Sequence, residues 1–134
     1  MILTGAFLAE QATVVENTLS VSGGVLSRFG LGPDRAARFV LVVLTQEDPG
    51  STDRQIKVEM RPPNDDEPFD TEFEVPETAV TDLPGFAFFE LQVKLPADGR
   101  WLLVVTSDSG SISLPVLVSE MPQQGPPPTP SFGI

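Results

Sequence analysis

Between Phe86 and Val118 apolar and polar residues alternate with a period of two, and only an extended strand turns that pattern into one buried and one wet face. Phe89, Leu91, Val93 and Leu95 alternate with Glu90, Gln92 and Lys94, and Ile112, Leu114, Val116 and Val118 repeat the pattern further on. Trp101 to Val105, between them, is apolar on both faces. Asp98-Gly99 and Asp108-Ser109-Gly110 supply turns, so the stretch reads as a β-meander of three strands centred on the only tryptophan. Trp101, Leu103 and Val105 share one face of the middle strand. The tryptophan is the largest apolar group available, which assigns that face to the core and leaves Leu102 and Val104 pointing away from it.

The same period recurs upstream. Ile56, Val58 and Met60 alternate with Lys57, Glu59 and Arg61, while Phe69, Thr71, Phe73 and Val75 alternate with Asp70, Glu72 and Glu74. Phe39 to Leu44 is an unbroken apolar run, the mark of a central strand covered on both faces. Ile2 to Val14 is strand-like but irregular, and Glu16-Asn17-Thr18 is a polar turn. Leu19 to Phe29 reads as the second strand, interrupted at Gly23-Gly24 by a bulge or a close backbone approach. No Gly-Lys-Ser or Gly-Lys-Thr follows, so that glycine pair is not a phosphate loop. Leu31 to Ala37 is a loop or one helical turn.

Prolines punctuate this series. Pro33, Pro49, Pro62, Pro63, Pro68, Pro76, Pro84 and Pro96 all fall between apolar runs. Pro115 lies inside the last strand, which places that strand at a sheet edge or gives it a bulge. About eight short strands result, and the expected fold is all-β: an antiparallel immunoglobulin-like β-sandwich, with a small closed barrel as the alternative. A chain of 134 residues suits one domain, residues 1–120, followed by a proline-rich extended tail over 121–134.

Charge and inventory exclude several functions. Eight Lys and Arg against 19 Asp and Glu give a net charge of -11, the wrong sign for nucleic acid or an anionic membrane surface. No apolar run approaches the ~20 residues of a membrane helix, and no basic residue precedes the apolar start, so the expectation is a soluble cytoplasmic protein. Cysteine and histidine are both absent. That removes disulfides, thiolate metal sites, the usual general base and the usual thiol nucleophile. Lys57 and Lys94, the only lysines, sit on the polar faces of strands, and no serine occupies a nucleophile elbow. The chain therefore reads as non-enzymatic and in need of no cofactor.

Asp65 to Asp82 is the densest acidic stretch. Within it Asn64-Asp65-Asp66-Glu67 offers oxygen ligands of the kind calcium takes, making Asp65, Asp66 and Glu67 the candidate metal ligands. The Asp-x-Asp-x-Asp-Gly pattern of a dedicated calcium loop is missing, so a solvated acidic loop is the preferred reading. Glu72 and Glu74 suit the outer face of an edge strand, where charge discourages aggregation.

Surplus apolar surface is the more useful signal. Val40, Val42 and Leu44 on one strand and Leu102 and Val104 on another need a cover beyond the sandwich core. The 31–37 loop or the C-terminal tail could supply it from within the chain, and a partner protein or a second copy from outside. In the tail, Phe132 and Ile134 are the anchors a docking peptide would use.

Phe7-Leu8-Ala9-Glu10-Gln11-Ala12 and Asn17-Thr18-Leu19-Ser20-Val21-Ser22-Gly23-Gly24 resemble the N-terminal hairpin of an uncharacterised bacterial family of small immunoglobulin-like β-sandwich proteins. The likeness continues through Arg38-Phe39-Val40-Leu41-Val42-Val43 and Gly99-Arg100-Trp101-Leu102-Leu103-Val104, within residues 3–119. It implies the fold and carries no activity. The expected function is a protein-interaction or scaffold domain working through a sheet face and its tail. A structural component of a phage or capsid-like assembly, or a calcium- or carbohydrate-binding module, is the alternative.

Overall fold

A computed structural model describes residues 1–121. The tail, and with it Phe132 and Ile134, lies outside the described residues. Ten strands run in chain order as β1 (Ile2–Ala9), β2 (Gln11–Val15), β3 (Thr18–Ser22), β4 (Arg28–Leu31), β5 (Ala36–Gln46), β6 (Gln55–Arg61), β7 (Phe69–Glu74), β8 (Gly85–Lys94), β9 (Gly99–Ser107) and β10 (Gly110–Glu120). A single 3-10 turn at Glu77–Ala79 lies in the link between β7 and β8.

Three sheets form: β1-β5-β8, β4-β10-β9-β6-β7 and the hairpin β2-β3. The two larger ones share one core, as period two predicts for sheets buried on one side. Leu8, Phe39, Leu41, Val43 and Leu91 come from the first; Ile56, Val58, Met60, Trp101, Leu103, Val105, Val116 and Val118 come from the second. Trp101 is buried with Leu103 and Val105, as expected, and its indole Nε1 donates to the Ala97 carbonyl at 2.9 Å. Two aromatic pairs tie the sheets together near their flanks. Phe29 of β4 meets Phe39 of β5 with ring centroids 5.1 Å apart, and Phe73 of β7 stacks on Phe89 of β8 at 4.6 Å.

Several expectations are corrected. Ten strands replace about eight because two long segments break: Ile2 to Val14 divides at Glu10, and Leu19 to Phe29 divides after Ser22. The irregular alternation of the first strand has its own cause, a bulge between Leu3 and Gly5 where the register against β5 shifts. Gly23-Gly24 ends β3 rather than bulging a continuous strand. Gly23 has φ +66, and a Cβ there would lie 2.5 Å from the Glu10 side chain, so the position needs both the left-handed backbone and the missing side chain.

The three consecutive strands are present, but they do not form a meander. β9 pairs with β10, whereas β8 pairs with β5 in the other sheet. The link Leu95–Asp98 is too long and too rigid at Pro96 for a two-residue hairpin, and it carries the chain from one sheet to the other. Strand pairing is mixed rather than wholly antiparallel, because β4 runs parallel to β10. Among the described residues the sheets keep separate edges, and no closed barrel forms. Pro115 lies on the half of β10 that β4 does not reach; β4 pairs only from Leu117 to Glu120. The strand is an edge where its proline sits and internal where its amides are needed.

Candidate functional site

Val40, Val42, Leu44, Leu102 and Val104 were the sequence candidates for an interface, and the chain itself covers most of that surface. Val42 is fully buried, Val40 is 8% exposed and Leu44 is half-buried. Their cover is the β2-β3 hairpin rather than the 31–37 loop. Gln11, Ala12 and Thr13 line one pocket with Arg38 and Val40, and Val14 and Asn17 line another with Phe86 and Phe88, so the hairpin stands over the outer face of β1-β5-β8. Its turn is tight because Glu16 and Asn17 both adopt positive φ, 49° and 62°, as a two-residue hairpin loop requires. On the other sheet Val104 is 7% exposed and Leu102 half-buried. Glu59 and Ser113 flank Val104 in register, and an Arg61–Glu59 ion pair lies beside it, so long polar side chains shield it.

The surface left open lies elsewhere, along β8. This strand ends its sheet, as β7 ends the other, and the two edges stand on the same side of the molecule. Leu95 N donates to Arg35 O at 2.9 Å, so Leu95 and Arg35 form a hydrogen-bonded pair of the β5–β8 ladder. By the alternation of an antiparallel ladder, odd-numbered residues of β8 bond to β5. Phe86, Phe88, Glu90, Gln92 and Lys94 then direct their N–H and C=O groups to the free edge.

The groove that borders that edge is made of two separate pockets, which share no lining residue among those described. Its first half, about 650 Å³, is lined by Val14, Leu83, Pro84, Phe86, Phe88 and Phe89 among others. Its second half, about 250 Å³, runs between β8 and β7 over Met60, Phe69, Phe73, Leu91 and Val93. Three of the large apolar residues left exposed line it: Leu83 at 68%, Val14 at 54% and Phe69 at 38%. Gly85 makes the upper end of the groove possible. A Cβ there would lie 2.3 Å from the Ala79 carbonyl oxygen, so only glycine lets the 3-10 turn pack against the start of β8. The Thr45 hydroxyl donates to that same carbonyl at 2.6 Å and holds the turn in place.

The chain around the groove is acidic, although among the described residues Asp70 and Glu90 are the only carboxylates that line it. From Pro62 to Val93 the chain has nine carboxylates and no Lys or Arg: Asp65, Asp66, Glu67, Asp70, Glu72, Glu74, Glu77, Asp82 and Glu90. Three are paired by cations from outside that stretch: Asp70 by Lys57 at 3.6 Å, Glu74 by Arg54 at 3.1 Å, and Glu90 by Arg38. The remaining six have no ion pair among the described residues. Glu72 and Glu74 do lie on the exposed face of an edge strand, as their spacing predicts. Asp65, Asp66 and Glu67 lie exposed in the β6–β7 loop, and among the described residues no three carboxylates converge as metal ligands would.

Sequence reasoning missed this groove, although two signals were present. Phe86-Ala87-Phe88-Phe89 is apolar on both faces at the start of β8, and the cation-free run extends past Asp82 through all of β8 up to Lys94. No protein-family model, curated protein or solved structure matches the chain, so the resemblance to a bacterial sandwich family rests on the quoted residues alone.

Proposed function

We propose that the protein is a non-enzymatic interaction domain of immunoglobulin-like sandwich fold that binds a protein partner along the free edge of β8. Strand order supports the fold. β1, β5 and β8 pair as strands A, B and E do in immunoglobulin domains, β6, β9 and β10 pair as C, F and G, and β7 extends the second sheet as in variable-type domains. The tryptophan departs from that pattern, lying on β9 rather than β6, and no cysteine bridges β5 to β9. Side chains, Trp101 foremost, fill that interior instead.

One observation carries the functional reading: a ten-residue edge strand with unpaired backbone groups runs beside an apolar groove. An exposed edge of this kind is an aggregation hazard unless it is blunted or used. β7 is blunted by Asp70, Glu72 and Glu74; the first half of β8 carries phenylalanines instead. The groove offers apolar contact and backbone hydrogen bonds, the means by which sheet edges recognise extended partners.

Val14→Asp combined with Leu83→Asp tests the reading, since both side chains are exposed and neither belongs to the core. Partner capture by the wild-type chain should be lost in this double variant and kept in Leu117→Asp, an exposed position on the opposite sheet. Equal capture by both variants would overturn it. A chain ending at Met121 separates the contribution of the tail, with its Phe132 and Ile134, from that of the groove.

A further inference from the structure

On the reading that β8 is the binding edge, we infer that its occupant is an extended polypeptide segment with alternating apolar residues and flanking Lys or Arg, added to the sheet as a fourth strand beside β8. Three independent features specify this partner. The free N–H and C=O groups of Phe86, Phe88, Glu90, Gln92 and Lys94 are spaced to pair with a strand, and an incoming helix or loop could not satisfy them in series. Apolar surface lies on both sides of that edge, with Phe86 and Phe88 on the hairpin side and Phe69, Phe73 and Val93 on the β7 side. A strand presents side chains alternately to its two faces, so both sets of contacts are met by apolar residues at either parity.

Charge supplies the third. Asp65, Asp66 and Glu67 shortly precede the lining residue Phe69, Glu72 lies between the lining residues Thr71 and Phe73, and Glu77 and Asp82 adjoin Thr78 and Thr81 of the first pocket; all six lack a cationic partner among the described residues. Cations beyond the two ends of a docked strand would meet both groups of carboxylates. Complementary charge of this kind speeds encounter and rejects wrong partners more than it adds affinity. The same charges disfavour a second copy of this chain. Pairing β8 with its symmetry mate would bring two acidic β7 edges together within a molecule pair that carries -11 on each member.

Peptides against the full chain provide the test: an alternating Val/Thr strand with two lysines at each end, the same strand with glutamates at the ends, and the lysine form N-methylated at alternate residues on one edge or on the other. The lysine-ended peptide should bind and should slow amide exchange at Phe88 and Gln92. Raising salt from about 50 to about 300 mM should weaken it severalfold. Glutamate ends should weaken binding by about tenfold or more. N-methylation should abolish binding on one edge and leave it intact on the other. Equal affinity of lysine- and glutamate-ended peptides, with β8 protected in both, would overturn the charge inference and leave the β8 edge standing. Binding without protection of β8, or none at millimolar peptide, would overturn both. Sedimentation showing dimers whose formation protects β8, or tighter peptide binding by the chain ending at Met121, would assign the edge to a second copy or to the tail and likewise overturn the inference.

Discussion

The two flanks of the molecule solve the same problem in opposite ways. On the β1/β10 flank the segment leaving the hairpin crosses from one sheet to the other. Leu26 N donates to Leu8 O at 2.7 Å, Leu117 N donates to Ser27 O at 2.8 Å, and Met121 N donates to Leu31 O at 2.8 Å. One strap thus closes part of two edges, at Leu8 of β1 and over residues 117–121 at the end of β10. On the β7/β8 flank no such segment exists among the described residues, and the sheets meet through the Phe73–Phe89 stack and the link at residues 75–84. An edge becomes available for recognition when the chain declines to close it, and the strap that partly closes β1 and β10 has no counterpart on β8 among the described residues.

Side chains should register that contrast most strongly. Phe39→Ala, on the strapped flank and fully buried, is expected to cost about 3–5 kcal/mol in urea unfolding. Phe89→Ala, half-buried beside the groove, should cost markedly less. Equal costs would mean that both flanks are packed alike and would remove the distinction. Amide exchange probes the backbone directly: Leu117 and Met121 should exchange roughly 100-fold more slowly than Phe88 and Gln92, whose N–H groups face the open edge. Similar rates would show that something already occupies β8.

Two glycines sharpen the comparison at smaller scale. Gly85→Ala forces a Cβ onto the Ala79 carbonyl and should cost about 1–3 kcal/mol, loosening the upper wall of the groove. Gly30→Ala on the strap, where the nearest atom is the Met121 Cα at 3.8 Å, should stay within about 0.5 kcal/mol of wild type. The smallest effect is electrostatic. The Ser51 hydroxyl and, after it, the N-terminal ammonium hold the Asp108 carboxyl below the ordinary aspartate value. A carboxyl depressed in the folded state contributes stability above its unfolded pKa of about 3.9 and loses it as pH falls through the lower folded value. Acid titration of Asp108→Asn should lack that component, while its unfolding at neutral pH should move only slightly.

Strand identity was readable because it is local. Residues 56–60, 89–95 and 112–118 each state their buried face within one window, and all three faces are where the alternation puts them. Pairing is not local, and there the reading failed: nothing within residues 95–99 reveals that β8 returns to β5, which ended some forty residues earlier. For the same reason the hairpin was not among the covers considered for Val42. The hairpin at residues 11–22 has only Ala12, Val14, Leu19 and Val21 to mark its inner face, and two of those stay exposed. The groove was half legible. Its composition was in plain view between Pro62 and Val93, but that β7 and β8 end their sheets on the same side is a property of the assembled fold.

The strap has a mechanical consequence. Ser109 Oγ donates to the Met1 carbonyl at 2.9 Å, so the chain begins beside the start of β10, and Met121 lies at the other end of that strand, about 35 Å away at a strand's rise. A pull applied at Met1 and Met121 would slide β4 along its parallel neighbour and load the bonds at Ser27 and Leu31 together instead of unzipping them one by one. Tension along that axis would be borne by the strapped flank, and the β8 edge would keep its shape while the domain is under load.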